Sequence, residues 1–343
     1  MLTSIAIGAA GVVILVTGGE LLVKNAASLA RRLGISPLAV GLTIVAFGTS
    51  APELAVGIGA ALSDSGTLAF GNIFGSNLAN IGLIVGLCAL VRPLPIDNAI
   101  IRRELPMMLL ATAAAIVMAF DTDLGETRNV YTRSDGLVLL LFFGVFLWYT
   151  LGDLLRQRGR SNSCDTLKIA AAPVVADGAW AGSAANEDLG HSGITFRLVL
   201  IALGLVGLAV GGNLVVTGAV GLAQALGVPE VVIGLTVVAV GTSLPELAAS
   251  LSALRRREVG IAVGGVVGSN IFNTLLVTGT TATIRPMPIP EGGHLDLAAT
   301  AVLSLALVLF ARTNSQKIIR YEGLGLLLLW AGYLTARTLW LSL

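Results

Sequence analysis

The residues Gly-Thr-Ser-Ala-Pro-Glu at positions 48–53 return as Gly-Thr-Ser-Leu-Pro-Glu at positions 241–246. A second motif, Gly-Ser-Asn-Leu-Ala-Asn at 75–80, returns as Gly-Ser-Asn-Ile-Phe-Asn at 268–273 with the same offset of 193 residues. In each copy the first motif ends on a glutamate that lies within apolar sequence. A long internal repeat of this kind indicates a duplicated membrane fold with a site where the two copies meet.

The composition indicates that lipid is the main solvent of the chain. Of its 343 residues, 55% are hydrophobic and only 12% are charged, and the mean hydropathy is +0.89. Soluble domains carry about 25% charged residues. The net charge of +1 comes without a basic run interleaved with aromatics, so we expect the bilayer and no nucleic acid as a partner. Two cysteines, Cys88 and Cys164, are too few for a disulfide framework or a metal cluster.

Apolar runs between charged or proline-marked breaks predict ten membrane spans, because about 20 apolar residues cross the hydrocarbon core. Five spans fall in each repeat. Two copies of an odd-numbered bundle in one chain must enter the membrane in opposite orientations. The predicted fold is therefore an all-α membrane protein with ten transmembrane helices in two inverted five-helix repeats. The predicted spans are 4–30, 36–62, 67–91, 104–120, 135–152, 196–222, 229–254, 260–283, 295–311 and 319–341.

The span pattern also predicts that the chain consists of two repeats joined by a polar linker. The first repeat covers 1–152, with its motif region at about 41–91, and the second covers 196–343, with its motif region at about 234–284. The polar segment 153–195 lacks an apolar pattern that could build a core, so a flexible linker is favoured over a folded regulatory domain.

The positive charges test this span count independently. The loops after odd-numbered spans contain 17 of the 21 Lys and Arg residues, and the other face receives only Arg128, Arg133, Arg285 and Arg337. Cytoplasmic loops carry the excess of positive charge. We therefore expect a multi-pass protein of the cell (inner) membrane with both termini outside and the 153–195 loop in the cytoplasm.

Glu53 and Glu246 are the central functional candidates. An ionised side chain inside a membrane span costs at least about 2.5–3.5 kcal/mol, so cations or protons must accompany it. Protonated and packed glutamates, or glutamates that face a lipid headgroup, are the alternative. Two glutamates at matched positions in the same sequence context favour a cation site.

The neighbouring residues supply further oxygen ligands. Pro52 and Pro245 break or kink their helices, which frees nearby carbonyls, and such backbone is tolerated only where it lines a polar cavity. Oxygen donors without thiolates or imidazoles suit hard cations, and two carboxylates balance one Ca²⁺, with Na⁺ as its competitor. The candidate ligands are the hydroxyls of Thr49, Ser50, Thr242 and Ser243 and the carbonyls of Ala46, Phe47, Ala239 and Val240.

The second motif completes the candidate site. Ser76 and Asn80 are spaced i and i+4 and so share one face of the third span, as Ser269 and Asn273 do in the eighth. Alone, this motif would indicate only helix packing. Its recurrence at the offset of the acidic motif indicates that it lines the same site.

Together the two motifs resemble the α-repeats of the sodium/calcium exchanger branch of the Ca²⁺/cation antiporters, over nearly the whole chain. The resemblance implies that spans 2, 3, 7 and 8 enclose the ion sites and that spans 1 and 6 slide against them. It also implies three Na⁺ per Ca²⁺. The ligands it implies are Glu53, Glu246, Thr49 and Thr242 for Ca²⁺, and the same glutamates with Ser50, Ser76, Ser243, Ser269 and the Ala46 and Ala239 carbonyls for Na⁺.

One position departs from some relatives, which carry Asp where this chain has Asn273. Both copies here present asparagine, Asn80 and Asn273, as polar lining of the central site. The site therefore contains two acids, Glu53 and Glu246, which argues against a potassium requirement. Compared with those relatives, it also has one titratable group fewer for proton coupling.

The favoured function is electrogenic exchange of Na⁺ for Ca²⁺ by alternating access, without a cofactor. We expect the functional unit to be a monomer, although the sequence leaves the oligomeric state open. A Ca²⁺/H⁺ antiporter is the alternative, because protons also neutralise Glu53 and Glu246. A membrane-embedded enzyme is remote, because His191 and His294 fall in predicted loops and the spans contain no Asp pair. A cation channel fits a single chain with inverted halves less well than a carrier.

Overall fold

The computed structural model describes residues 1–120, 129–165, 193–226 and 241–342, with side chains through 153 in the second range and through 339 in the last. Helices make up nearly all of these ranges. The helices are α1 (Leu2–Leu33), α2 (Pro37–Leu62), α3 (Gly66–Val91), α4 (Leu105–Met118), α5 (Arg133–Asp165), α6 (Ile194–Ala225), α7 (Leu244–Arg255), α8 (Val259–Ile284), α9 (Gly293–Arg312) and α10 (Arg320–Ser342).

Seven helices within the described ranges are long and apolar enough to cross a membrane: α1, α2, α3, α5, α6, α8 and α9. The predicted all-α membrane architecture is therefore confirmed. Of the predicted seventh span, residues 229–240 lie outside the described residues. The fifth helix continues to Asp165, beyond the predicted span end at 152. The prediction marked the end of the apolar run, and the helix continues through the polar residues that follow it.

Local sequence explains the sharp connection between the first two helices. Gly34 ends α1 in the left-handed conformation, with φ 66°, which glycine adopts without steric penalty. Two residues later, the Ser36 hydroxyl accepts a hydrogen bond from the Ala39 backbone N–H at 3.2 Å, and Pro37 occupies the first turn. The chain therefore reverses within three residues, and α2 begins against the end of α1.

The repeat visible in the sequence is also visible in the backbone. A π-helical turn interrupts α3 at Ala79–Val85 and α8 at Phe272–Val277, which are matched positions. Four two-residue strands form two antiparallel pairs, and each pair joins one half of the chain to the other. The strands are β1 (Leu94–Pro95), which pairs with β4 (Lys317–Ile318), and β2 (Val130–Tyr131), which pairs with β3 (Met287–Pro288).

Among the described helices, α1 and α6 make the most extensive contact and pack backbone to backbone along glycines. A methyl group on Gly11 would approach the Val215 nitrogen to 2.6 Å, and one on Gly211 would approach the Leu15 nitrogen to 2.5 Å. Near the other end, one on Gly204 would approach the Leu22 nitrogen to 2.7 Å. Both helices therefore need glycine at the contact, and they form a tightly joined pair.

In each half an ion pair joins the last two helices, and we call each of these ion pairs a clasp. The acid and the base lie on opposite helices in the two clasps. The first clasp lies between α4 and α5. There Arg103, in the π-helical turn Ile100–Glu104 before α4, binds Asp153 at 2.8 Å and lies over the Tyr149 ring, and it also binds the buried Glu104 at 2.6 Å.

The second clasp lies between α9 and α10. Asp296 of α9 binds Arg337 of α10 at 3.3 Å and accepts a hydrogen bond from Tyr333. Asp296 is the repeat counterpart of Arg103, 193 residues later. The acid and the base have thus exchanged helices, and a tyrosine lies one turn before the outer partner in both halves.

We predict that Gly211→Leu destabilises the protein by about 2 kcal/mol or more, because the side chain has no space between α1 and α6. The measurement is thermal unfolding of purified protein in detergent. The control is Gly144→Leu on α5, where an added Cβ has nothing within 4 Å. Equal unfolding temperatures for the two variants would contradict the close α1–α6 contact.

We predict that Asp296→Arg lowers stability by about 1–3 kcal/mol, because two arginines then face each other in a mostly buried position. The double variant with Arg337→Asp restores an ion pair with the polarity of the first half. Unfolding temperatures of wild type, single and double variants test this. A double variant no more stable than the single one would show that the ion pair does not hold α9 to α10.

Candidate cation site

The two acidic motifs lie at interruptions of their helices. In α2 the helix bends at Ser50 and resumes at Ala51, with Pro52 in the new first turn. In the second copy, Thr242 and Ser243 form a turn and α7 begins at Leu244. Proline has no backbone N–H, so the helical hydrogen bond across each bend is absent. The glutamate of each motif therefore lies just after the bend, in the first turn of the helix segment that follows.

Both glutamates are completely enclosed by protein. Glu53 is 0% exposed and Glu246 is 2% exposed. One oxygen of Glu53, Oε1, accepts a hydrogen bond from the Ser76 hydroxyl at 3.2 Å. Among the described residues, Oε2 of Glu53 and both carboxylate oxygens of Glu246 have no hydrogen-bond partner. Ser76 contacts both Glu53 and the Thr242 hydroxyl, and Thr49 lines the same cavity as Glu246. The two carboxylates therefore belong to one enclosed cluster, where two ionised groups would repel each other. This arrangement requires a positive charge or protons.

Two hydroxyl bridges join the halves of the site. The Thr49 hydroxyl lies 3.2 Å from that of Ser269, and the Ser76 hydroxyl lies 3.1 Å from that of Thr242. These bridges are repeat counterparts, since each residue of one lies 193 positions from a residue of the other. They connect α2 with α8 and α3 with the start of α7.

Close helix packing brings the first bridge together. A methyl group on Gly268, beside Ser269, would approach the Ala46 Cβ to 2.7 Å and the Leu42 carbonyl to 3.0 Å. Because glycine permits this approach, α8 lies directly against α2 at the level of Thr49.

The other predicted ligands divide into three groups. The Ser50 and Ser243 hydroxyls are buried and have no hydrogen-bond partner among the described residues. The Ala46 carbonyl already accepts the Ser50 backbone N–H at 3.0 Å and the Thr49 hydroxyl at 3.4 Å. Its predicted counterpart, Ala239, lies outside the described residues.

The asparagines extend the polar cluster between α3 and α8. The Asn80 side-chain nitrogen donates to Asn270 Oδ1 at 3.4 Å, whereas neither polar side-chain atom of Asn273 has a partner in the described part of the chain. The Asn77 nitrogen donates to the Thr274 hydroxyl at 3.0 Å. Three residues of this cluster, Asn77, Asn270 and Thr274, were not among the candidates predicted from the sequence. Asn77 and Asn270 occupy matched positions of the second motif, and this recurrence could have identified them as candidates. Thr274 has Ile81 as its counterpart, so the repeat gave no indication of its role.

The site thus combines two buried carboxylates with hydroxyl and amide oxygens from four helices. Such a donor set suits a hard cation, and its two negative charges match one divalent cation or a group of monovalent ones.

A family model described as "Sodium/calcium exchanger protein" matches residues 3–152 and 196–339. The chain belongs to the sodium/calcium exchanger family. This is a family of membrane transporters and not of enzymes, and the chain is a multi-pass integral membrane protein and a cation antiporter of that family.

Individual relatives are similar over nearly their whole length. Inner membrane protein YrbG of Escherichia coli (strain K12) is 35% identical, and the match covers 100% of this chain and 98% of YrbG. Sodium/calcium exchanger MaX1 of Methanosarcina acetivorans is 32% identical over 94% of this chain and 95% of MaX1. A solved structure of the sodium-calcium exchanger NCX_Mj, soaked with Na⁺ and Sr²⁺, matches with a TM-score of 0.78 and 30% identity, over 97% of this chain and 98% of that one. The resemblance indicated by the two motifs is therefore confirmed.

We predict that Ser76→Ala destabilises this exchanger more than Ser269→Ala does. Ser76 bonds both Glu53 and Thr242, whereas among the described residues its counterpart bonds Thr49 alone. Each lost bond is worth about 1 kcal/mol, or more where a charged group loses a partner. Unfolding temperatures measured in detergent with a chelator and without Na⁺ test this. The reverse order of stability would contradict the role of Ser76 as the link between α2, α3 and α7.

Proposed function

We propose that the protein exchanges Na⁺ for Ca²⁺ across the membrane by alternating access. The observation that carries the proposal is the pair of matched glutamates, enclosed where the two halves meet, with three of their four carboxylate oxygens unpartnered among the described residues. The names of MaX1 and NCX_Mj, both sodium/calcium exchangers, support the same pair of ions.

Calcium fits the site by charge and by ligand type. Two ionised glutamates balance one Ca²⁺, which takes 6–8 oxygen ligands in irregular geometry, whereas Mg²⁺ demands a near-ideal octahedron. In this proposal Glu53, Glu246, Thr49 and Thr242 hold Ca²⁺. Na⁺ uses the same glutamates at flanking sites, and Asn80 and Asn273 line the centre. The further Na⁺ ligands are Ser50, Ser76, Ser243 and Ser269 and the carbonyls of Ala46 and Ala239.

The proposed topology has ten spans in two inverted repeats, 1–152 and 196–343, joined by a cytoplasmic connection, with both termini outside. In this arrangement α4, α7 and α10 also cross the membrane. Support comes from the division of Lys and Arg between the loops and from the strand pairs, since β1 and β3 occupy matched positions and each pairs with the opposite half.

An asymmetry between the halves supports alternating access. Helix α1 covers the segment of α7 after its bend, where a methyl group on Gly19 would approach the Ser252 hydroxyl to 3.0 Å. Accordingly, Ala248 and Ser252 are only 8% and 3% exposed. Their counterparts on α2, Ala55 and Gly59, are exposed.

The covered segment leads toward the cytoplasm in the proposed topology, and the uncovered segment leads outside. We therefore assign this conformation to the outward-facing side of the cycle. The opposite state needs the α1–α6 pair to move so that α6 covers α2 instead.

Charge compensation couples the two ions. An empty site with two ionised glutamates would be too costly to move past an apolar layer, whereas Ca²⁺ or Na⁺ neutralises it. The protein therefore changes state only when loaded, which produces exchange instead of leak. Three Na⁺ per Ca²⁺, the ratio of the resemblance, moves one net positive charge per cycle.

The deciding experiment is uptake of radioactive Ca²⁺ into proteoliposomes loaded with Na⁺ and diluted into Na⁺-free medium at equal pH. We expect uptake that an inside-positive potential stimulates, because three Na⁺ leave for each Ca²⁺ that enters. A matched set carries a pH gradient and no Na⁺. Uptake that follows the pH gradient alone would identify the Ca²⁺/H⁺ antiporter, in which the same glutamates carry protons.

We predict that Glu53→Gln and Glu246→Gln each reduce Na⁺-dependent uptake to the level of protein-free liposomes. Glutamine keeps the volume but removes half of the charge that balances Ca²⁺. Folding should persist, since a neutral amide is less costly to bury than a carboxylate. The control is Glu291→Gln in an exposed loop, which should transport like wild type. Full transport by either site variant would refute the assignment.

A further inference from the structure

The two asparagines of the candidate site, Asn80 and Asn273, occupy matched positions but have different surroundings. The side-chain nitrogen of Asn80 is held by Asn270 Oδ1 at 3.4 Å, and its own oxygen, Oδ1, has no partner among the described residues. In Asn273 neither the nitrogen nor the oxygen has a partner there. Both side chains are buried, at 1% and 0% exposure.

The residue at the position of Asn270 in the first half also has a different partner. The counterpart of Asn270 is Asn77, which would hold Asn273 if the halves were equivalent. Instead, the Asn77 nitrogen donates to the Thr274 hydroxyl at 3.0 Å. The residue that matches Thr274 in the first half is Ile81, which offers no hydrogen bond. Thr274 therefore engages the Asn77 nitrogen, while the Asn77 oxygen and both polar side-chain atoms of Asn273 have no partner among the described residues.

The orientation of an amide matters because only its oxygen can bind a cation. The nitrogen of an asparagine side chain is a donor only. With its nitrogen bonded to Asn270, Asn80 keeps its oxygen free for a metal ion. Asn273 can present either end, and a cation must first fix its rotation. Groups that are oriented before binding increase affinity, because less rotational freedom is lost.

We propose that Asn270 is a positioning residue that presets the Asn80 oxygen as a cation ligand, so that the two halves of the site are unequal. This inference rests on the proposed function, since it concerns how that same site binds Ca²⁺. Asn270 acts through Asn80 and does not itself contact the ion.

The test compares Asn270→Leu with the matched variant Asn77→Leu. Leucine has the branched heavy-atom skeleton of asparagine and is larger, so neither change leaves a cavity, and each removes one hydrogen bond between α3 and α8. Asn270→Leu also removes the contact of the Asn270 nitrogen with Met108 Sδ at 3.8 Å. We expect Asn270→Leu to raise the KM for Ca²⁺ about tenfold, the equivalent of one lost hydrogen bond, with little change in the maximal rate. We expect a smaller rise for Asn77→Leu, because Asn77 donates to Thr274 and does not orient Asn80 or Asn273.

A conservative variant provides the second measurement. Asn270→Asp keeps an oxygen that accepts from the Asn80 nitrogen, and we expect its KM for Ca²⁺ to stay at or below that of wild type. If Asn270→Leu does not fold, Asn270→Ala carries the same expectation. An unchanged KM in the Leu or Ala variant, an equal rise in Asn77→Leu, or an Asp variant as weak as the Leu variant would overturn the proposal.

Direct binding separates this inference from the function on which it rests. Calorimetric titration of the detergent-purified protein with CaCl₂ in Na⁺-free buffer measures affinity without transport. Absence of Na⁺-dependent uptake by wild type would refute the proposed coupling. Equal Ca²⁺ affinities of wild type and the position 270 variants in the titration would refute the role of Asn270, whatever ion drives transport.

Discussion

Two like charges must be kept inside a protein that spans a lipid bilayer, and the architecture depends on how they are compensated. Glu53 and Glu246 are both buried, and two ionised carboxylates in one enclosed cluster would repel each other. Without positive charge, their burial would oppose folding. The bends before them, the hydroxyls around them and the close approach of α2 to α8 all bring oxygen atoms to one point. The same contacts that make burial of the two carboxylates costly without cations therefore form the candidate cation site.

The halves do not meet at a simple interface but are joined through each other's elements. The two strand pairs each combine a loop of one half with a loop of the other, and both hydroxyl bridges do the same at the centre. Rocking one whole half against the other would break all four contacts at once. The α1–α6 pair makes none of these connections. In the proposed alternating-access cycle, movement of that pair along a fixed frame would therefore be the less costly route between states.

The sequence predicted the residues around the two glutamates better than the contacts between helices farther from them. A shared offset of 193 residues was enough to bring Glu53 and Glu246 together, because duplicated elements meet around a common axis. Helical spacing placed Ser76 and Asn80 on one face. It could not place Asn77, because that position lies on a second face that is also buried where four helices cross. Nor could it pair the glycines of α1 with those of α6 or reveal the two clasps, since spacing along one helix does not identify the helix it contacts.

The reversed polarity of the two clasps has a consequence for how duplicated halves can diverge. Arg103 with Asp153 and Asp296 with Arg337 each lie within one copy, so a compensating change in the same copy preserves the contact, and acid and base have exchanged places. Each hydroxyl bridge instead takes one residue from each copy, and each of its members has an identical counterpart in the other bridge. If one residue of a hydroxyl bridge changes, the compensating change must occur in the other half of the chain. An ion pair inside one copy can therefore change without the other copy, while the two hydroxyl bridges, each built from both copies, keep threonine and serine at their matched positions.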